Sequence, residues 1–159
     1  MKNMKFSVLL ALGTVLSAQA LADSENVVTG GYAHTKTAGN SLSGVNLKYG
    51  YTPDDFDLGV ISSITLTANK NNDIDRGYGS ALVGASYRVT DSVKPYVMVG
   101  IGRGVVKNDD DTDTSTGFAY NAGIQFTPIS GFTIDAGYEG SKVFGSQANS
   151  IVVGAGWKF

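Results

Sequence analysis

The residues able to do chemistry in this chain are few, and their spacing matches no known reaction geometry. Asp135 and Glu139 are the nearest approach to a carboxylate pair. Such pairs can divide acid and base roles across a glycosidic bond. On an extended segment, at about 3.3 Å per residue, the two lie ~13 Å apart. That exceeds the ~5–9.5 Å that glycosidases use. His34 is the single histidine. It stands near the top of a strand-like stretch with no nucleophile and acid beside it, so a Ser/His/Asp site built on it lacks its partners.

Asp109, Asp110, Asp111 and Asp113 form the one run of charge. Calcium loops of the EF-hand type fail here: Thr114 stands where the glycine belongs and Tyr120 where the final glutamate belongs. A solvated loop is expected, the alternative being a weak divalent-ion contact shared with lipopolysaccharide phosphates. Gly100-Ile101-Gly102-Arg103-Gly104 imitates a nucleotide loop, but no helix follows it. Gly84-Ala85-Ser86-Tyr87-Arg88 lacks the closing glycine of a nucleophile elbow. There is no cysteine, hence no disulfide framework or thiol chemistry. No catalytic residue, metal ligand or cofactor is expected, and the chain does not read as an enzyme.

What these residues do have is a periodic frame. In the last ten residues, Ile151, Val153, Ala155, Trp157 and Phe159 share one parity; Ser150, Val152, Gly154, Gly156 and Lys158 share the other. A period of two is a strand with one apolar face. Seven further stretches behave alike: residues 27–35, 43–51, 58–68, 78–89, 93–106, 116–126 and 132–142. Each is near the ~9–11 residues a tilted strand needs to cross a bilayer. One parity carries large apolar residues, the other small or polar ones.

A soluble sandwich also alternates, so three further features decide. Lys2 and Lys5 precede an apolar run over residues 6–16, and Ala20-Leu21-Ala22 follows. Residues 1–22 therefore read as a secretory signal peptide and residues 23–159 as the mature domain. The aromatics gather near strand ends, with Tyr51, Tyr87, Phe126, Phe132, Trp157 and Phe159 at one end and Tyr32, Tyr78, Phe118 and Tyr138 towards the other. These are two girdles. The connectors alternate between tight turns (52–57, 90–92, 127–131) and longer polar loops (36–42, 69–77, 107–115, 143–149). The reading is an all-β, eight-stranded antiparallel up-and-down transmembrane β-barrel.

Eight strands leave a narrow interior filled by side chains, too narrow for a pore. Charges inside must be paired. The inward parity supplies Lys48, Arg88 and Lys158 against Asp135 and Glu139, with Tyr96, Asn121 and Gln125 as neutral partners. Inward glycines leave room for these long side chains. Removing residues 1–22 takes two lysines and no acid, so the formal charge goes from −2 to −4. With no basic patch, nucleic acid is not an expected partner.

The segments Thr29-Gly30-Gly31-Tyr32-Ala33, Asn46-Leu47-Lys48-Tyr49, Leu58-Gly59-Val60-Ile61, Ser86-Tyr87-Arg88-Val89, Gly123-Ile124-Gln125-Phe126-Thr127-Pro128, Asp135-Ala136-Gly137-Tyr138-Glu139 and Gly154-Ala155-Gly156-Trp157-Lys158-Phe159 resemble the Ail/Lom (OmpX/PagC-like) family of outer-membrane proteins, from first strand to last. The resemblance implies both termini in the periplasm. It also implies host-cell attachment, invasion or serum resistance in some members and no activity beyond the membrane in others. Gly50 stands where relatives often carry arginine. Binding would fall to the extracellular loops, at Lys36, Lys70, Asp73, Asp75, Arg76, Lys107, Asp109, Asp110, Asp111 and Asp113. The expected partners of this monomer are outer-membrane lipid, lipopolysaccharide, and host cell-surface, matrix or complement-regulatory proteins. A purely structural barrel is the alternative.

Overall fold

The structure, a computed structural model, describes residues 24–37, 40–53, 55–71, 74–108, 111–129, 131–143 and 145–158. Residues 1–22, Asp73, Asp109, Asp110 and Phe159, each singled out above, lie outside this set. Eight strands follow in order: β1 (Ser24–Thr37), β2 (Asn40–Pro53), β3 (Leu58–Asn71), β4 (Ile74–Tyr87), β5 (Val93–Lys107), β6 (Thr112–Ile129), β7 (Phe132–Val143) and β8 (Ser146–Lys158). Each pairs antiparallel with its neighbour in sequence, and β8 pairs with β1, closing the barrel. Closure leaves no sheet edge in hydrocarbon, where an unpaired backbone group is costly.

The register fixes the geometry. From Thr29 the pairs run through Lys48, Ser63, Leu82, Gly100, Ala119, Ser141 and Ala148 and return to Thr37, eight residues farther along β1. Eight strands with a stagger of eight tilt by about 36°. Each step to the next strand therefore climbs by one residue, about 2.7 Å along the axis. Counted this way, inward side chains stack in layers of four. Thr29, Ile61, Tyr96 and Asp135 share one layer, and Lys48 shares the next with three glycines.

The same count puts Tyr51, Tyr87, Phe126 and Trp157 at one height on the outside, two residues below Thr29. Phe132 is one residue lower and meets Trp157 edge-on at 5.6 Å. Outward Val45, Val97, Ile101, Phe118 and Ile151 are more than half exposed, while inward Ile61, Met98 and Val152 are buried. Tyr49 departs from the pattern: it has outward parity yet is covered, its hydroxyl donating to Asn26 Oδ1 at 2.6 Å.

Three expectations need correction. The connectors at the far end are not long loops. Strand pairing runs on to Thr37–Asn40, Asn71–Ile74, Lys107–Thr112 and Val143–Ser146, because polar residues can alternate in a hairpin as well as apolar ones. Tyr78 belongs to no girdle. It shares the inward parity of Ser80 and is buried. Nor do the inward glycines serve only as space. A Cβ on Gly100 would lie 2.1 Å from the Ala81 carbonyl oxygen, so there the neighbouring backbone itself requires glycine; Gly137 does make room, for the Tyr96 hydroxyl.

Candidate surface-interaction site

The interior holds the wall rigid from two separate charge clusters. In the middle, β2 presents Lys48, whose ammonium lies 3.0 Å from Asp135 Oδ1 on β7 and donates to Asn46 Oδ1 at 2.6 Å. Both charged side chains are 1% exposed. Tyr96 on β5 donates to the same Asp135 oxygen at 2.9 Å, and its ring lies 5.8 Å from the ammonium. Asn46 hands the chain on to Ser63 and Thr65 at 2.8 Å each, and Thr65 donates to Glu139 at 3.3 Å. Tyr78 and Ser80 donate to the same carboxylate at 2.9 Å. Glu139 is thus held by hydroxyls from β3 and β4 rather than by a cation. Asn121, expected as a neutral partner, has no hydrogen bond within the described residues, and neither has Gln125 Nε2.

Arg88 is the interior residue that sequence reasoning misplaced. It follows the end of β4 and pairs not with Asp135 or Glu139 but with Glu25 on β1, at 2.8 Å. Lys158 reaches Glu25 at 3.2 Å, and Lys94 on β5 pairs with it directly. One carboxylate thus gathers three cations at the end of the barrel where β1 begins and β8 ends. Glu25 and Lys94 were missed. The first sits ahead of the apolar alternation; the second lies in the stretch where Tyr96 and Met98 blur the parity. Lys94 shares their inward parity, which is the signal that would have found it.

Among the described residues, the proposed binding residues lie at the opposite end but do not converge into a pocket. Lys36, Asp75, Lys107, Asp111 and Asp113 are exposed, and Arg76 is half-buried on the inward face of its hairpin. Lys70 pairs in register with Asp75. No ion pair joins Lys36, Asp75, Arg76, Lys107, Asp111 or Asp113 to another described residue. Arg103 and Lys142, not singled out from sequence, are also exposed and outward. They stand at the height of Lys36, seven residues above Thr29, and together make a collar of three cations. Near the height of the collar the wall divides. β2 and β3 are paired only as far as Ser43–Ala68, and β6 and β7 only as far as Ala119–Ser141. The sheet formed by β3, β4, β5 and β6 therefore rises as a flap. Beyond Ala119, β6 is in register with β5 alone.

Comparison with known proteins places this architecture. Residues 8–159 match the family model described as outer membrane protein beta-barrel domain. The chain is 35% identical to the attachment invasion locus protein of Yersinia enterocolitica and 34% identical to outer membrane protein X of Enterobacter cloacae. The first alignment covers 99% of each chain, the second 98% of this chain and 99% of the relative. The chain belongs to the Ail/OmpX/PagC family of outer-membrane proteins. Among solved structures it is similar to Ail of Yersinia pestis in complex with the heparin analogue sucrose octasulfate. That likeness has a TM-score of 0.77 and 31% identity over 86% of this chain and 99% of that one. The barrel is thus an outer-membrane barrel.

Proposed function

We propose that this protein is a non-enzymatic surface protein that attaches the cell to host-cell, matrix or complement-regulatory proteins through its extracellular strand ends, a virulence-related role. The observation that carries the reading is the flap. A strand edge above the membrane offers N–H and C=O groups that a partner's extended segment can pair with. Asp75, Arg76, Lys107, Asp111 and Asp113 beside it supply charge for selectivity. The names of relatives, an attachment invasion locus protein and a virulence membrane protein, support the same reading. The collar of Lys36, Arg103 and Lys142 fits the phosphates of lipopolysaccharide, which would seat the barrel at a fixed depth. Residues 1–22 are removed in transit, leaving Asp23 as the first residue; intact mass of the outer-membrane form tests this.

The experiment exchanges the four extracellular hairpin ends for short turns, one at a time, on cells displaying the protein. Loss of adherence to serum or matrix proteins with the ends of β3–β4 or β5–β6 is expected. Unchanged adherence after all four exchanges sinks the attachment reading. It would favour the second one, a barrel that only maintains the envelope, for which the shortness of the hairpin turns speaks.

A further inference from the structure

The apolar wall is not equally tall around the barrel. Outward apolar side chains extend over eight residues on β3, β5 and β6, from Leu58 to Leu66, Val93 to Ile101 and Phe126 to Phe118. Ser62 interrupts the run on β3, and on β4 the run is six residues, from Tyr87 to Ala81. On β2, β7 and β8 the run is six residues, and on β1 it is four, from Val28 to Tyr32. At about 2.7 Å per residue these are about 21, 16 and 11 Å, against the ~25 Å of a typical outward apolar band.

The upper edge retreats on one side, while the lower edge stays nearly level, with Tyr51 and Trp157 at the height of Tyr87 and Phe126. Five to six residues above Thr29, β3, β5 and β6 present Leu66, Ile101 and Phe118, whereas β1, β2 and β8 present His34, Ser43 and Asn149. Asn26, three residues below Thr29 on β1, is buried and accepts from the Tyr49 hydroxyl, so it forms no polar lower rim. The polar groups of the short side bond to the aromatics beside them. The Tyr32 hydroxyl lies 2.8 Å from Ser43 Oγ, with His34 Nδ1 3.3 Å from both. Tyr138 donates to Asn149 Oδ1 at 2.6 Å. Tilting a rigid barrel moves both edges of one side in the same direction, so a tilt that levelled the upper edge would unlevel the lower one. Thinning of the surrounding bilayer on that side accommodates both edges.

We propose that the β8–β1–β2 wall is a lipid-pinching face: it draws the headgroups of the surrounding lipids inward, onto Tyr32, His34 and Ser43 at its upper edge. The β3–β6 wall faces a bilayer of ordinary thickness. The occupant of the face is the phosphorylated headgroup layer. Lys36 stands two residues above His34 on the same exposed row, where a lipid phosphate brought down to the Tyr32–Ser43 bond would meet it. The inference rests on the membrane reading above.

The chain has no cysteine, so single labels report cleanly. Ser43→Cys and Phe118→Cys place a nitroxide at one height on opposite sides of the full-length mature barrel in dioleoyl phosphatidylcholine vesicles. The Ser43 label is expected to be several-fold more accessible to a water-soluble nickel chelate, relative to oxygen, than the Phe118 label. Equal ratios overturn the proposal. So does protection of the Ser43 label that grows with the protein-to-lipid ratio, because a second copy would then be the occupant. A second measurement does not depend on labels. The variant His34→Leu/Ser43→Leu should move the urea midpoint's optimum from dilauroyl towards dioleoyl vesicles, and an unmoved optimum also overturns it. A protein that never enters vesicles would defeat the membrane reading itself, an outcome distinct from equal labels in an inserted barrel.

Discussion

At the residue scale, the interior distinguishes a charge held by a charge from a charge held by hydroxyls. Asp135 neutralises Lys48 in a site from which water is excluded on nearly all sides. Removing one partner leaves the other buried and unpaired, which typically costs roughly 3–5 kcal/mol. Asp135→Asn is therefore expected to lower the unfolding free energy in vesicles by about that much. Replacing both, as Lys48→Met with Asp135→Leu, should cost much less, because a buried pair returns little beyond its own desolvation. Glu139→Gln should be milder than Asp135→Asn. The hydroxyls of Ser80, Tyr78 and Thr65 can rotate to accept as well as donate. Equal losses for Asp135→Asn and Glu139→Gln, read from urea titrations, would contradict the distinction.

At the element scale, parity decides what a strand position tolerates. Val99 on β5 points outward and is half exposed, three residues above Thr29 and so within the apolar band. Val99→Arg should cost about 2–4 kcal/mol, falling for positions nearer either rim. Its neighbour Gly100 points inward against the Ala81 carbonyl. Gly100→Ala and Gly100→Ser should be comparably harmful, since the collision is with the Cβ they share. Stability of the three variants in one lipid checks both expectations. The centres of all eight strands and the facing of most positions were legible in the sequence, because hydrocarbon outside and a packed lumen inside impose a period of two. The upper strand ends were not, because above the membrane neither face must be apolar and residues such as Thr112, Asp113 and Thr114 read as loop. Tyr78 was read by its nearness to a strand end although its parity with Ser80 already pointed it inward. The cluster at Glu25 was illegible for another reason: its four members come from β1, the end of β4, β5 and β8, and only barrel closure brings them together.

At the scale of the whole molecule, strand number and stagger fix the bore, and layers of four side chains fill it. Purified protein in a planar bilayer is expected to show no stepwise conductance. Channel openings would mean that the Lys48–Asp135–Tyr96 cluster does not obstruct the lumen. The contact between Glu25 and Lys158 has a consequence in time as well as in space. It joins the second residue of β1 to the last of β8, so almost the whole polypeptide must already be in place before it can form. Interactions of such long sequence separation reward the chain only after its loop-closure entropy has been spent. The three-cation hub should then behave as a late stitch. Glu25→Gln is expected to leave the rate of membrane entry unchanged and to slow only the last kinetic phase, in which the refolding chain acquires its compact mobility in unheated gels.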